Sequence, residues 1–572
     1  MGIITISAAN CKNCYRCVRF CPVKAISIRD DQARIEDKAC IQCGICVNQC
    51  PQNAKQIQGG LEAVLRYRAS GQPLLLSLAP SYSGAFEQSL TEIAAELLKR
   101  GFSLVEETAV GARIVAGEYR RLVAAQGDGG CLISSPCSVI INLVEKHYPR
   151  LLPHLTPVVS PMIAHGRLLK ARWGPESRVI FAGPCIAKKE EAREPAVAGA
   201  IDAVLTFAEL REFLASPELP PAQRPRSLAP NPDAGKGRWF PLPGGLLRAA
   251  GLAEGVLEQD ILIVDGMEEV MAALEALAAR EIKPRLVEML ACKGGCIGGP
   301  FMPKAPVFPA RRDRFITTLL SLEDGEHIAG REEIELGREF RVRPYQRIYP
   351  GEKKIRAILD AMGKTTPDKE LNCGSCGYES CRDKAVAIAQ GMAELEMCVP
   401  YMREKAENLA STIIDFTPNA ILVVDAQLRI KEFNPAAEKL FKVMAEAVKE
   451  RPLGMVMDET HFATVLNSRR PLQVKVEYPH LGIVTHQRLS YIEEEDLVLA
   501  LIIDITDMER QKEAFATVKR ETIAKAQEVI EKQMKVAQLI AGQLGETTAE
   551  SKVLLTKLIQ LVQEGGDENV LP

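Results

Sequence analysis

Seventeen cysteines carry the most chemistry in this 572-residue chain, and their spacing is the first thing to read. They fall in tight groups: Cys11, Cys14, Cys17 and Cys21; Cys40, Cys43, Cys46 and Cys50; Cys131 and Cys137; Cys185; Cys292 and Cys296; and Cys373, Cys376, Cys381 and Cys398. None follows Cys398. Thiolates two or three residues apart are soft metal ligands rather than disulfide partners. So few cysteines in so long a chain do not make a disulfide scaffold. Cys11 to Pro22 reads C-x2-C-x2-C-x3-C-P, and Cys40 to Pro51 repeats it. A cubane iron–sulfur cluster takes four thiolates, three from one tight loop and one from a remote segment. Zinc is the alternative metal, and two copies with the trailing proline favour iron. Cys137, Cys185, Cys292 and Cys296 supply four thiolates for a further cubane, each in a loop or just after an apolar run.

These groups need elements to position them. Residues 1–60 form a short, nearly duplicated unit around the first two groups. Over 61–349, apolar strand-like runs (Leu74–Leu78, Val179–Ala182, Ile261–Val264, Leu286–Leu290) alternate with helix-like stretches (Leu90–Lys99, Met267–Arg280). That alternation predicts an α/β domain with a largely parallel sheet. In such a sheet, ligand-bearing loops converge at the carboxyl ends of the strands. Residues 216–238 read as an exposed proline-rich loop. Residues 350–406 form a small helical unit around the last cysteine group, with a helix over Ala385–Met397 returning Cys398 to its loop. Residues 407–508 read as a cysteine-free α+β unit. Residues 509–572 hold an amphipathic helix whose Ile523, Ile530, Ala537 and Leu544 recur every seven residues, as a helix-pair seam requires. Gly545 and Thr547–Thr548 interrupt it, Val553–Val562 forms a second amphipathic stretch, and the tail is expected to be disordered. The fold class is therefore multidomain α/β and α+β.

The N-terminal segment resembles the bacterial-type dicluster ferredoxins. In those proteins the fourth cysteine crosses over, which assigns Cys11, Cys14, Cys17 and Cys50 to one 4Fe-4S cluster and Cys40, Cys43, Cys46 and Cys21 to the other. The motifs Ser134-Ser135-Pro136-Cys137, Gly183-Pro184-Cys185-Ile186-Ala187-Lys188-Lys189-Glu190 and Glu288-Met289-Leu290-Ala291-Cys292-Lys293-Gly294-Gly295-Cys296 then follow in order. Behind a dicluster ferredoxin, they resemble the catalytic domain of the iron–iron (FeFe) hydrogenases, over roughly residues 1–345. The resemblance implies an H-cluster: a cubane on Cys137, Cys185, Cys292 and Cys296, bridged through Cys296 to a two-iron unit carrying CO, cyanide and a dithiolate. It places Lys188 on a cyanide and the Ala79-Pro80-Ser81 segment on the other. It also exposes departures. Where active members carry a proton-delivering cysteine, this chain has Pro136, which has neither a titratable side chain nor an N–H. Gly183 and Leu290 stand where the family has methionines that touch the two-iron unit.

Cys373, Cys376, Cys381 and Cys398 form C-x2-C-x4-C-x16-C, which resembles the four-cysteine iron–sulfur domain of corrinoid proteins and ion-pumping reductases, with zinc as the alternative metal. The run Ile421–Asp425, Arg429–Ile430, Phe433–Phe441 and the exit Leu497–Ile503, Asp504-Ile505-Thr506 resemble a PAS domain. Asn434-Pro435 is a helix-entry pair. No PAS cofactor is assigned, although His461, His480 and His486 could ligate haem. No histidine follows His486, so no kinase phosphoacceptor is expected and output is expected to pass through a partner protein or through the helix itself.

The favoured reading is an iron–sulfur redox or hydrogen sensor. An H-cluster reacts slowly with H2 and protons, and electrons pass through three further 4Fe-4S clusters to a PAS module. The partners expected are ferredoxin or another redox protein, a downstream kinase, phosphatase or regulator, and a second copy of the chain through the PAS unit and terminal helix. One alternative is a catalytic ferredoxin-linked hydrogenase. Another is a cubane-only electron-transfer or cluster-assembly protein. A net charge of −3 gives no electrostatic case for nucleic acid. No signal peptide is expected from the first residues, Ile6 breaks a myristoylation pattern, and the longest apolar run, Leu497–Ile503, is too short for a membrane span. The expectation is a cytoplasmic protein of an anaerobe, with Cys131 a buried structural thiol.

Overall fold

The computed structural model describes residues 2–126, 130–218, 234–252, 260–322 and 333–541, with 553–554 and 556–557. The middle of the proline-rich loop, the seam position Leu544, Gly545, Thr547–Thr548, most of 553–562 and the tail lie outside the described residues. The chain divides into two units, Met1–Met402 and Arg403–Pro572.

The first unit opens with two small antiparallel ladders, Ile4–Ile6 with Lys55–Ile57 and Ile26–Arg29 with Gln32–Ile35. Short helices, Arg16–Phe20 and Ile45–Asn48, follow the two cysteine loops. The duplication extends to the backbone. Left-handed residues sit at matching places: Asn13 and Gln42, Tyr15 and Gly44, Lys24 and Asn53. Such conformations tighten each C-x2-C loop so that three thiols turn inward.

Next comes the α/β domain, and here the sequence expectation of one sheet is corrected. There are two parallel sheets. One runs Phe102–Glu107, Leu74–Leu78, Arg178–Gly183, Ala203–Thr206; the other runs Ile261–Asp265, Leu286–Leu290, Leu132–Ile133. Leu74–Leu78 is buried along its whole length, as a parallel strand covered on both faces must be. Helix Leu90–Lys99 starts where expected, because Ser89 and Glu92 form a reciprocal capping box.

The four-cysteine lobe packs helix Glu352–Ala361 against helix Cys381–Ala389 around Ile355, Leu359, Ala385 and Val386. The helix expected over Ala385–Met397 instead begins at Cys381. Ser380 caps it by accepting from the Asp383 N–H. It stops before Gly391, whose left-handed φ of 71° ends the turn. A 3-10 turn, Leu395–Met397, then carries the chain to Cys398. Helix Val399–Phe416 runs through the domain boundary placed at 406/407.

In the second unit, five antiparallel strands lie in the order Ile430–Phe433, Ala420–Val424, Leu497–Asp504, Ile483–Ile492, Leu472–Tyr478. The Asn434 side chain accepts from the Ala437 N–H at 2.9 Å, capping helix Pro435–Phe441 as expected. It also bonds Ile421, Ile414 and Asn419, so one residue ties the first strand to the helix entry. Thr506–Ala541 forms a single helix, with Val518, Val529, Val536 and Leu539 exposed along it. No helix among the described residues is long and apolar enough to cross a membrane.

Candidate metal centres

Cys137, Cys185 and Cys292 each follow the carboxyl end of a parallel strand, and Ser81 does likewise. Two of these strands belong to the four-stranded sheet and two to the three-stranded sheet, so both contribute to the site. The four thiols are close enough to repel one another as thiolates. Burial, then the charge of Cys137, pushes the Cys185 thiol up to about 11; burial, then Cys137 and Cys185, pushes Cys296 up to about 12. Cys292 rises well above its ordinary value for the same reasons. A set of this kind ionises fully only against a strongly cationic centre. The residues present therefore fit an iron–sulfur cluster.

Around these thiols, Lys188 Nζ donates to Glu191 Oε2 at 2.6 Å and to the Pro136 carbonyl at 3.0 Å. Glu191 is fully buried and also accepts from Ser138 Oγ at 2.7 Å and from Arg338 Nη1 at 2.7 Å. Burial raises the Glu191 carboxyl, but Lys188 and Arg338 outweigh it and hold the pKa at about 2. Arg338 also pairs with Glu194, and Arg343 with Glu145, so residues 338–343 are lashed across the back of the site. Sequence reading missed Glu191 and Arg338. The first lay three residues after Lys188 and was findable; the second lies on a distant irregular segment, with no pattern to mark it. Ser81 Oγ is buried without a hydrogen-bond partner among the described residues. Gly183 has a packing reason: a Cβ there would lie 2.7 Å from the Phe181 ring and 3.2 Å from Ala79 Cβ. The Phe181 ring thus fills space that a side chain at 183 would need.

In the ferredoxin lobe, Cys11, Cys14, Cys17 and Cys50 line one cradle together with Lys55. Cys21 and Cys46 act on Cys43, and burial followed by backbone and Cys21 effects leaves Cys40 at about 12. The first crossed set thus lines one cradle, and Cys21 shares an apolar cluster with Cys40, Cys43 and Cys46. The charge of Cys43 reaches Cys292, and Gly44 sits against Phe301 and Ile186. Helix Ser138–His147 grips the same loop. Lys146 Nζ donates to the Cys40 carbonyl at 2.5 Å, and His147 Nε2 lies 2.8 Å from the Ala39 carbonyl.

Cys373, Cys376, Cys381 and Cys398 line a third cradle, bordered by Asn372, Tyr378 and Lys384. The Cys381 N–H donates to Asn372 Oδ1 at 2.8 Å. Among the described residues no three Cys, His, Asp or Glu gather closely enough to hold a single ion. Cys131, expected to be buried, is half-buried; burial still pushes its thiol up to about 11.

Comparisons with known proteins now bear on these centres. Residues 72–300 match the family model for the iron only hydrogenase large subunit, C-terminal domain. Over those residues the chain is similar to the iron-only hydrogenase large subunit. Residues 3–51 match a 4Fe-4S dicluster domain, 370–400 an Fe-S cluster domain, and 408–471 a PAS domain. Iron hydrogenase 1 of Clostridium pasteurianum is 23% identical over 433 residues, 62% of this chain and 75% of that protein. The NADP-reducing hydrogenase subunit HndD of Solidesulfovibrio fructosivorans is 25% identical over 334 residues, 48% of this chain and 57% of that protein. A solved FeFe-hydrogenase, HydA1 of Chlamydomonas reinhardtii, matches 48% of this chain and 91% of its own at 17% identity, with a TM-score of 0.37. The hydrogenase domain thus stands between a dicluster ferredoxin domain and a further Fe-S domain, with a PAS domain behind them. In the PAS domain the three histidines lie on different elements: His461 on helix Thr460–Ser468, His480 in the turn before strand Ile483–Ile492, and His486 on that strand.

Proposed function

We propose that this iron–sulfur protein is a hydrogen or redox sensor rather than a high-rate hydrogenase. The cysteine sets would hold three 4Fe-4S clusters and an H-cluster, on the sixteen thiols named above. When bound, the H-cluster supplies the reversible interconversion of H2 with two protons and two electrons. The chain's own residues do the rest. Ser81 offers a free hydroxyl, and Lys188 a third N–H beyond its two bonds, each a donor suited to an anionic diatomic ligand in a dry pocket. Glu191 and Arg338 hold Lys188 in place. The observation that carries the sensory reading is Pro136: at the position for proton delivery its only polar atom is a carbonyl, and that carbonyl is taken by Lys188. A site that binds but relays protons poorly suits detection, and the PAS domain suits output through a partner protein. Homodimerisation through the PAS unit and the helix Thr506–Ala541 is part of the same proposal.

A second reading, a cubane-only electron carrier, draws support from the Lys188–Glu191 pair, which gives Lys188 a structural role with no cyanide present. Infrared spectroscopy of the matured chain separates the two. CO and cyanide bands are expected; their absence hands the case to the cubane-only protein. With bands present, Pro136→Cys should raise hydrogen turnover roughly a hundredfold or more, the usual worth of a positioned acid–base group. An unchanged rate would remove the argument from Pro136. A chain ending after Met402 should keep its hydrogen chemistry and lose the downstream response.

A further inference from the structure

The Cys373 lobe is clamped directly onto the ferredoxin lobe. Arg19 Nη2 donates to the Ser375 carbonyl at 3.0 Å, and Lys24 Nζ to the Gly377 carbonyl at 3.1 Å. The Ile28 N–H donates to the Met392 carbonyl at 3.0 Å, and the Asp30 N–H to Glu394 Oε1 at 2.7 Å. The approach at Gly377 is tight: with φ of +91°, a Cβ there would lie 3.0 Å from Arg19 N and 3.2 Å from Val18 Cβ. Cys376 immediately precedes Gly377, and the Val18 carbonyl accepts the N–H of Cys21 at 3.4 Å. Two cluster loops therefore meet back to back.

Tyr378 lies at this meeting point. It is 5% exposed and borders the cradle of Cys373, Cys376, Cys381 and Cys398. It also shares one apolar cluster with Cys21, Val18, Cys40 and Cys46, and feels the charge of both Cys376 and Cys21. Its hydroxyl is buried without a partner among the described residues. A buried hydroxyl left unpaired costs about 1–3 kcal/mol, so a retained one calls for an acceptor. Sulfur is the acceptor that both neighbouring cradles offer.

We propose that the Cys21, Cys40, Cys43 and Cys46 centre is a three-way electron junction, joined to the four-cysteine lobe across Tyr378. On its other sides, Gly44 of the Cys40–Cys50 loop sits against Ile186, next to Cys185 of the hydrogenase-domain centre, and Cys21 and Cys46 share one apolar cluster with Cys17 of the Cys11, Cys14, Cys17 and Cys50 centre. Across Tyr378, one electron would pass from a reduced cluster on Cys21, Cys40, Cys43 and Cys46 to the oxidised cluster that Cys373, Cys376, Cys381 and Cys398 would hold. No bond forms or breaks and no proton moves. Tyr378 is a positioning residue: its ring fills the space between the cradles, and its hydroxyl donates to a cluster sulfur, which raises that cluster's potential. The lobe is then a side branch whose oxidation state follows the hydrogenase domain.

This inference rests on the cubane reading of the cysteine sets and is independent of the two-iron unit. The test uses the full chain with reconstituted clusters, reduced by a europium(II) chelate and followed by electron paramagnetic resonance. In the native chain, the lobe's signal should show magnetic coupling to a neighbouring reduced cluster. The coupling should persist when Cys11→Ala and Cys14→Ala remove the far cluster, and vanish when Cys40→Ala and Cys43→Ala remove the junction. Tyr378→Phe keeps the ring and should lower one cluster's reduced-to-oxidised ratio about tenfold at fixed potential, equivalent to about 59 mV for one electron. The far cluster should not move. A magnetically isolated lobe, zinc in the Cys373 set, or midpoints all unmoved by Tyr378→Phe would overturn the junction while leaving hydrogen sensing intact. Coupling without CO and cyanide bands would overturn hydrogen sensing and leave the junction standing.

Discussion

Cys137, Cys185, Cys292 and Cys296 come from three loops far apart in the chain and stand behind a buried ionic scaffold, whereas Cys373, Cys376, Cys381 and Cys398 come from one short stretch with Cys373 exposed. Burial dominates every resolved shift among the first set. In the lobe, Ser375 hydrogen bonds lower the exposed Cys373 thiol, while burial still raises Cys376. The ion pairs differ in the same way. Arg338 and Glu191 are both about 1% exposed or less, while Arg382 and Glu352 lie open to water. Assembling a centre from distant loops thus coincides with a dry, interlocked frame; assembling it locally needs little frame at all. Chemistry that water would spoil belongs in the first setting, and simple electron storage is at home in the second.

The sharpest way to break this comparison is to delete one thiol from each. Cys292→Ala should lose its whole cluster and lower the melting temperature of the hydrogenase domain, because three loops lose their shared anchor. Cys373→Ala should lose one cluster's iron and leave that melting transition in place. Iron analysis and calorimetry read both, and equal destabilisation would erase the distinction. Next in size is Glu191→Gln, which leaves Lys188 and Arg338 without their buried counter-charge. A loss of about 3–5 kcal/mol in denaturant unfolding is expected. The third test is pH. The Glu191 carboxyl is held from 4.5 down to about 2, so its stabilisation is fully present above pH 4.5 and is lost as pH falls toward 2. The slope should total about 3 kcal/mol in the native chain and disappear in Glu191→Gln. The smallest effect should come from the lobe: Arg382→Ala breaks an exposed pair and should cost under about 1 kcal/mol.

Much of this was legible beforehand for a definite reason. A contiguous motif such as C-x2-C-x2-C-x3-C-P prescribes its own loop, and the structure places left-handed residues at matching points in both copies. The Asn434 cap and the Ser89–Glu92 capping box are local in the same sense. The helix after Cys381 was misplaced because Ser380 starts it and Gly391 stops it, and those two punctuation marks outweighed the apolar pattern that suggested Ala385–Met397. The division into two sheets was invisible, since strands as short as Leu132–Ile133 leave no periodic trace.

By itself, then, the sequence determined which thiols stand at cluster-type spacing, in what order, and that Pro136 cannot move a proton, because ligand type and local spacing are written along the chain. Only the tertiary structure decided what stands next to them. It set Glu191 and Arg338 behind Lys188, left Ser81 unpaired, filled the space at Gly183 with Phe181 and laid Tyr378 between two cradles. Those pairings join residues far apart in sequence, and it is burial, which forces every polar group to find a partner, that selects them.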